Sequence, residues 1–240
     1  MNCTMNGASS LSNNLIYFLW IIADLTLLII GFTLWGKKGV IAVIASNVVL
    51  MNIFVLKGIE LFGLDATGGN VLYASIFLGT DIIAEYYGKK EATAAVFIGF
   101  FISVFFLVAS RFILLFTPAE WDLYHGTMER LFTPVWRIIG ASMLAYILSQ
   151  NFDVTVYVWL KKRFPSQLWI RNNGSTWASQ IIDTAVFCFA AFAGTYETGT
   201  LLQIIVSTYI LKLIVALIDT PFIYLTKLIV RFRPSIIHHA

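Results

Sequence analysis

The chain has 240 residues, 59% of them hydrophobic and only 12% charged, with a mean hydropathy of +0.82; this excludes a soluble domain and requires a lipid bilayer as solvent for most of the chain. The net charge of +3 comes from 16 scattered Lys and Arg that build no basic face, so no nucleic-acid partner is expected. Cys3 and Cys188 support no disulfide framework and read as free thiols.

A hydrocarbon core about 30 Å thick takes about 20 apolar residues per helix. Apolar runs between charged punctuation predict seven such segments: Asn14 to Trp35, Gly39 to Lys57, Gly69 to Tyr87, Ala92 to Phe116, Pro134 to Leu160, Gly174 to Ala193 and Thr200 to Val230. These runs are continuous and exceed the roughly 9 to 11 residues of a barrel strand, so the fold class is all-α, a polytopic bundle in one domain. No Lys or Arg precedes Lys37, so the first segment lacks the basic start of a signal peptide and reads as a retained helix.

Cytoplasmic loops collect Lys and Arg. Lys37 and Lys38, then Lys89 and Lys90, then Lys161, Lys162, Arg163 and Arg171, and finally Lys227, Arg231 and Arg233 fall on alternate loops, hence on one side. The intervening loops carry Glu60, Asp65, Glu120, Asp122, Glu129 and Glu197, with Arg130 their clearest basic residue. Seven helices with the N-terminus outside and the C-terminus in the cytoplasm satisfy every loop. The acidic, aromatic loop from Thr117 to Thr133 would then lie outside and suits a short surface helix. His238 and His239 are too few for a metal site, and no cofactor is expected.

A charge at a helix centre costs about 2.5 to 3.5 kcal/mol on insertion scales and tends to mark a pathway or a site. Asp24, Asp81, Glu85, Arg111, Arg137, Asp153, Asp183, Lys212 and Asp219 all fall within the segments or at their edges. On the sixth segment Asn173, Thr176, Gln180, Asp183 and Phe187 form a stripe along one helix face, flanked by Ser175 and Ser179, with Asp183 near mid-membrane. On the third, Asp81 and Glu85 share a face as a candidate proton or cation site, against the plainer reading of a Glu85–Lys89 surface pair. On the seventh, Lys212 and Asp219 share a face, and Pro221 predicts a kink just after Asp219. Lys212 reaches the depth of Asp183, so a mutual ion pair with no ligand role competes with a site. Ser142, Tyr146, Gln150 and Asp153 make a weaker stripe on the fifth segment. Arg111 and Arg137 belong near outer helix ends, beside headgroups or acidic loops. Asp24 has few polar neighbours and suits an interhelical hydrogen bond.

The chain contains no phosphate-binding G-x-x-x-x-G-K-[ST], no H-E-x-x-H, no G-x-S-x-G and no C-x-x-C, so neither ATP hydrolysis nor a common intramembrane enzyme is expected.

The run Thr80-Asp81-Ile82-Ile83-Ala84-Glu85-Tyr86-Tyr87-Gly88-Lys89-Lys90-Glu91-Ala92 resembles the signature T-D-I-x-x-E-x-[YF]-G-[KR]-[KR]-x-A of the queuosine-precursor transporters, also called the vitamin uptake transporter family. Ser179-Gln180-Ile181-Ile182-Asp183-Thr184, Lys212 with Asp219-Thr220-Pro221-Phe222, and Ala45-Ser46-Asn47 are similar to further stretches of that family. The resemblance covers about Ile41 to Ile229. It implies a compact helical bundle in a bacterial inner membrane, related in fold to the binding subunits of energy-coupling-factor vitamin importers. It also implies uptake of 7-cyano-7-deazaguanine, 7-aminomethyl-7-deazaguanine or queuine for tRNA modification. The family pattern has six helices, and this chain adds one in front.

That substrate class agrees with the residues. A guanine-like edge offers two parallel N–H donors that a carboxylate, Asp183 or Glu85, accepts bidentately. Asn47, Asn173 and Gln180 can serve its carbonyl or pyrrole N–H, and aromatic residues, 15% of the chain, can stack a flat base. The candidate substrate contacts are therefore Asp183, Gln180, Asn173, Thr176, Asn47, Asp81, Glu85, Lys212 and Asp219. The expected partners are a purine-like small molecule and the bilayer, with a homodimer and a separate ATPase module left open. A binding subunit that needs such a module is the first alternative to a stand-alone importer, and an intramembrane enzyme or scaffold the second.

Overall fold

The computed structural model describes residues 12–133, 136–194 and 197–238. Cys3, Pro134 and His239 lie outside them, as do the side chains of Arg137 and His238. Ser12 caps the first helix by accepting from the Leu15 N–H, and α1 (Asn13–Trp35) turns at Gly36 into α2 (Lys37–Phe54). The two strands β1 (Gly58–Leu61) and β2 (Leu64–Thr67) follow, then a 3-10 turn over Gly68–Leu72 and α3 (Tyr73–Tyr86). The chain continues through α4 (Lys89–Leu115), α5 (His125–Phe132), α6 (Trp136–Arg163), α7 (Leu168–Phe192), α8 (Thr198–Phe232) and α9 (Ser235–His238).

Each apolar segment contains a helix, with four departures from the sequence-based expectation. The third segment opens as a 3-10 turn, leaving α3 only 14 residues. The helix of the sixth segment starts at Leu168, six residues before Gly174, because nothing between them breaks a helix. Arg171, expected in a loop, therefore sits in the first turn of α7 and is 4% exposed. The helix of the seventh starts two residues before Thr200 and ends two after Val230, continuing through Pro221. Finally, the loop after α2 is an antiparallel hairpin. Ile59 and Leu61 face Ala66 and Leu64 across it, and Phe62 and Gly63 both take positive φ, as a tight two-residue turn requires. Its tip is tied to α1: Asn14 Oδ1 accepts from the Phe62 N–H at 3.0 Å, and Asn13 donates to the Glu60 carbonyl at 3.2 Å.

Among the described residues, α1, α2, α4 and most of α8 are long and apolar enough to cross a membrane by themselves. They present their large side chains outward, with Leu19, Leu27 and Leu34 on α1 and Phe97, Phe101, Phe105 and Phe112 on α4 exposed to the apolar solvent. By contrast α3 is buried on every face from Tyr73 to Ala84. A helix enclosed by other helices does not need the hydropathy of one that meets lipid. The close approach of α1 and α2 depends on glycine: a Cβ at Gly39 would stand 2.1 Å from the Gly31 carbonyl oxygen. The chain is thus an all-α, multi-pass membrane protein with one small hairpin.

Candidate functional site

Most of the buried polar side chains meet along one seam between α3, α6, α7 and α8. At the hairpin end the seam opens into a cavity of about 550 Å³. Hairpin residues Ala66 and Thr67 edge the cavity, with Asn70 and Tyr73 below them, Ser142 on α6, Phe187, Cys188 and Phe192 on α7, and Gln203, Thr208 and Lys212 on α8. Lys212 stands at the inner end of that α8 row. Its ammonium pairs with Asp183 Oδ2 and lies 4.0 Å from the centre of the Tyr73 ring. Ser149 donates to the other oxygen of Asp183 at 3.0 Å. Both members of the pair are buried, Asp183 completely and Lys212 to 5% exposure.

Beneath the pair a narrower gap of about 10 Å³ is lined by Thr176, Gln180, Phe77 and Asp219 as well as Lys212 and Tyr73. The Gln180 carbonyl oxygen and the Thr176 hydroxyl have no partner there, although both residues are 2% exposed. An unsatisfied buried polar atom costs about 1 to 3 kcal/mol, so two of them in one gap mark a place suited to a polar ligand.

The far end of the seam is closed by charge. Glu85, one turn beyond Asp81 on α3, accepts from Arg171 at 2.7 Å and from Tyr157 at 3.0 Å, with Lys161 at 3.5 Å. Arg171 also donates to the carbonyls of Phe164 and Pro165, and Lys161 to that of Glu85 itself, so one ion cluster ties α3 to the α6–α7 turn. Glu85 therefore does not pair with Lys89 as the plainer reading of the sequence has it. From Arg171 to Asp183 is twelve residues, about 18 Å along α7 at 1.5 Å per residue. Between them Asn172 donates to Asp219 at 2.7 Å, Asn173 to Thr220 at 2.7 Å, and Ser179 to Asp153 at 2.9 Å.

The structure thus brings Lys212, Gln180, Thr176 and Asp219 around the two adjoining spaces, holds Asp183 behind Lys212 as its buried partner, and places Asp81, Glu85 and Asn173 farther along the same seam. Asn47 is elsewhere. Its amide binds Asp24 at 2.7 Å and Ser75 at 2.6 Å, which gives Asp24 the interhelical partner its position calls for. Residues not singled out as contacts also line the cavity, notably Tyr73, Asn70, Gln203 and Cys188. Asn70 and Tyr73 lie at the start of the third segment, where no charge drew attention to them. Asn172 held a signal in its neighbour Asn173, since two adjacent amides at the start of an apolar run address two partners.

The signature run can be read physically. Asp81 faces the seam and Glu85 carries the ion cluster. Gly88 takes φ +89°, the left-handed turn that joins α3 to α4, and Lys89 and Lys90 stand exposed on the first turn of α4.

A family described as "Putative vitamin uptake transporter" matches residues 67–226, which include the whole seam. A protein of Bacillus subtilis named "Probable queuosine precursor transporter" is 39% identical over 217 residues, 90% of this chain and 95% of its own. The "Queuosine precursor transporter" of Escherichia coli is 28% identical over 143 residues, 59% of this chain and 62% of that one. A "Probable queuosine precursor transporter" of Haemophilus influenzae is 29% identical over 132 residues, 55% and 54% of the two chains. No solved structure matches the chain. On the extent of these matches, the chain belongs to the vitamin uptake transporter family.

Proposed function

We propose that the chain imports queuosine precursors through this seam, seating the hydrogen-bonding edge of a 7-deazaguanine between Lys212 and Asp183. The observation that carries the reading is a buried ammonium and carboxylate side by side next to a cavity of about 550 Å³, a volume typical of small-molecule sites. A guanine-like edge places a carbonyl acceptor beside two N–H donors. Lys212 would donate to the carbonyl while Asp183 accepts from the N–H groups, so the base replaces each partner's contact with an equivalent one. Gln180 and Thr176, whose oxygens lack partners, extend the site toward Asp219 and Asn173. Tyr73, Phe187 and Phe192 offer aromatic faces to a flat base.

The alternation of basic loops supports a Glu85 cluster at the cytoplasmic face and a hairpin and cavity mouth outside, with α1, α2, α4, α6, α7 and α8, and α3 with its preceding 3-10 turn, crossing a bacterial inner membrane as one domain. The reading is of a transporter, not an enzyme: the base crosses unchanged. The purified chain, reconstituted alone in liposomes without nucleotide, should take up labelled 7-cyano-7-deazaguanine. 7-Aminomethyl-7-deazaguanine and queuine should compete, and adenine should not. Uptake only after a separate ATPase module is added would replace this reading with that of a binding subunit, and failure to bind any of the three bases would overturn it.

A further inference from the structure

Between the Lys212–Asp183 pair and the Glu85 cluster lie three carboxylates, Asp81 on α3, Asp153 on α6 and Asp219 on α8, none more than 1% exposed. Among the described residues, no Lys or Arg is within ion-pairing distance of any of them. Asp219 has the Asn172 amide and Asp153 the Ser179 hydroxyl. Asp81 has no donor among the described residues, and both of its oxygens are buried without a partner there. Its carboxyl group nevertheless meets that of Asp153 within hydrogen-bonding reach. Gln150, one turn from Asp153 on α6, accepts from Thr80 at 2.9 Å and leaves its Nε2 buried and unpartnered in the same α3–α6 seam. The cluster is therefore a polar site with one donor unused and one carboxyl group to which no described residue donates.

Two carboxyl groups in contact repel unless something sits between them, and a shared proton both removes a charge and supplies the missing donor. A metal ion fits less well: no group of three or more His, Cys, Asp or Glu among the described residues converges to hold one, whereas hard cations take six or more oxygens. We infer that Asp81 and Asp153 form a proton-carrying site, bridged Oδ to Oδ, that couples import of the base to the entry of one proton.

The proton enters from the cavity side and leaves toward Glu85, one helical turn farther along α3. No covalent bond is made or broken other than the O–H that is gained and then lost. The groups facing the pair are Glu85 on α3, Tyr157 on α6 and Asp219 on α8. The charged residues of α7 are committed, Arg171 to Glu85 and Asp183 to Lys212. Asp24 of α1 is held by Asn47 of α2, and Lys37 of α2 by Glu91 of α4. None of these supplies a free cation to Asp81, so protonation remains the means of neutralising it.

The coupling rests on the substrate reading above, and two transport readouts in liposomes separate them. Exchange of labelled for unlabelled 7-cyano-7-deazaguanine without a gradient tests the substrate. Accumulation with an acidic exterior tests the proton, and at one proton per base a gradient of one pH unit supports up to about tenfold accumulation. Wild type should show both, with a pyranine-loaded lumen acidifying as base is added. Asp153→Asn should keep exchange and lose accumulation. Exchange without accumulation in wild type, or accumulation driven by a sodium gradient instead, would overturn the proton site. Should wild type fail to exchange, the substrate reading falls and the proton site is judged by infrared spectroscopy without substrate. A protonated-carboxyl band at neutral pH that is reduced in both Asp81→Asn and Asp153→Asn upholds it, and spectra identical to wild type overturn it.

Discussion

Lys212→Met removes the ammonium from a carboxylate that is completely buried and is left with neutral donors such as the Ser149 hydroxyl. Breaking one side of a buried ion pair costs about 3 to 5 kcal/mol, against a total stability on the order of 5 to 15 kcal/mol. Asp183→Asn costs a similar amount, because it leaves the buried ammonium, over the face of Tyr73, without its counter-charge. The double variant Asp183→Asn with Lys212→Met has no charge to strand and nearly the same volume, so it should recover to within about 1 kcal/mol of wild type. Unfolding of the four proteins in one detergent completes the cycle and reads the coupling directly.

Binding then separates scaffold from site. A hydrogen bond to a charged group is worth about 1.5 to 3 kcal/mol, so a base that uses both residues should bind the stable double variant at least tenfold more weakly. Wild-type affinity in the double variant would refute the assignment of Lys212 and Asp183 to the substrate. Additive destabilisation in the cycle would refute the ion pair itself.

Cys188 lines the cavity beside Lys212, so in a Cys3→Ser background a small polar thiol reagent added outside should label it, and saturating 7-deazaguanine should slow that labelling several-fold; mass spectrometry reads both rates, and protection by an unrelated amino acid instead would count against the site. Gly39→Ala would drive a methyl group into the Gly31 carbonyl and, as an overpacked contact, should cost about 1 to 3 kcal/mol, seen as a lowered midpoint of thermal unfolding; an unchanged midpoint would contradict the close helix contact. A reporter joined after Ala240 should be active only in the cytoplasm, and periplasmic activity there would remove the orientation and with it the outward-facing cavity.

The helices are legible in the sequence because lipid imposes both a length and a hydropathy on them. Residues such as Leu19 and Phe101 report their surroundings through their own chemistry. The inward-facing stripe on α7 is legible for the converse reason, since polar residues at helical spacing can satisfy themselves only against other helices. Which helix each one meets is not periodic and cannot be read that way. Ser179 and Asp183 differ by four residues, yet the first donates to Asp153 and the second pairs with Lys212. Arg171 looks like a loop charge until the start of α7 and the bend of the α6–α7 turn bring it to Glu85, 86 positions away. Asn47 has the right chemistry for a base and the wrong neighbours, because Asp24 lies opposite it on α1. The hairpin escapes because its strands are four residues each, bounded by apolar segments whose pattern masks so short an alternation.

The two asparagines at the start of α1 reach the hairpin backbone, and the hairpin edges the cavity mouth. The first helix thus stands beside the cavity mouth, tied to it through the hairpin. With Gly31 of α1 against Gly39 of α2, the frame on that side is held at a second point. Loosening the hairpin anchors at Asn13 and Asn14 would consequently change how fast a base gets in, while leaving how tightly it is held to the residues deeper in the seam.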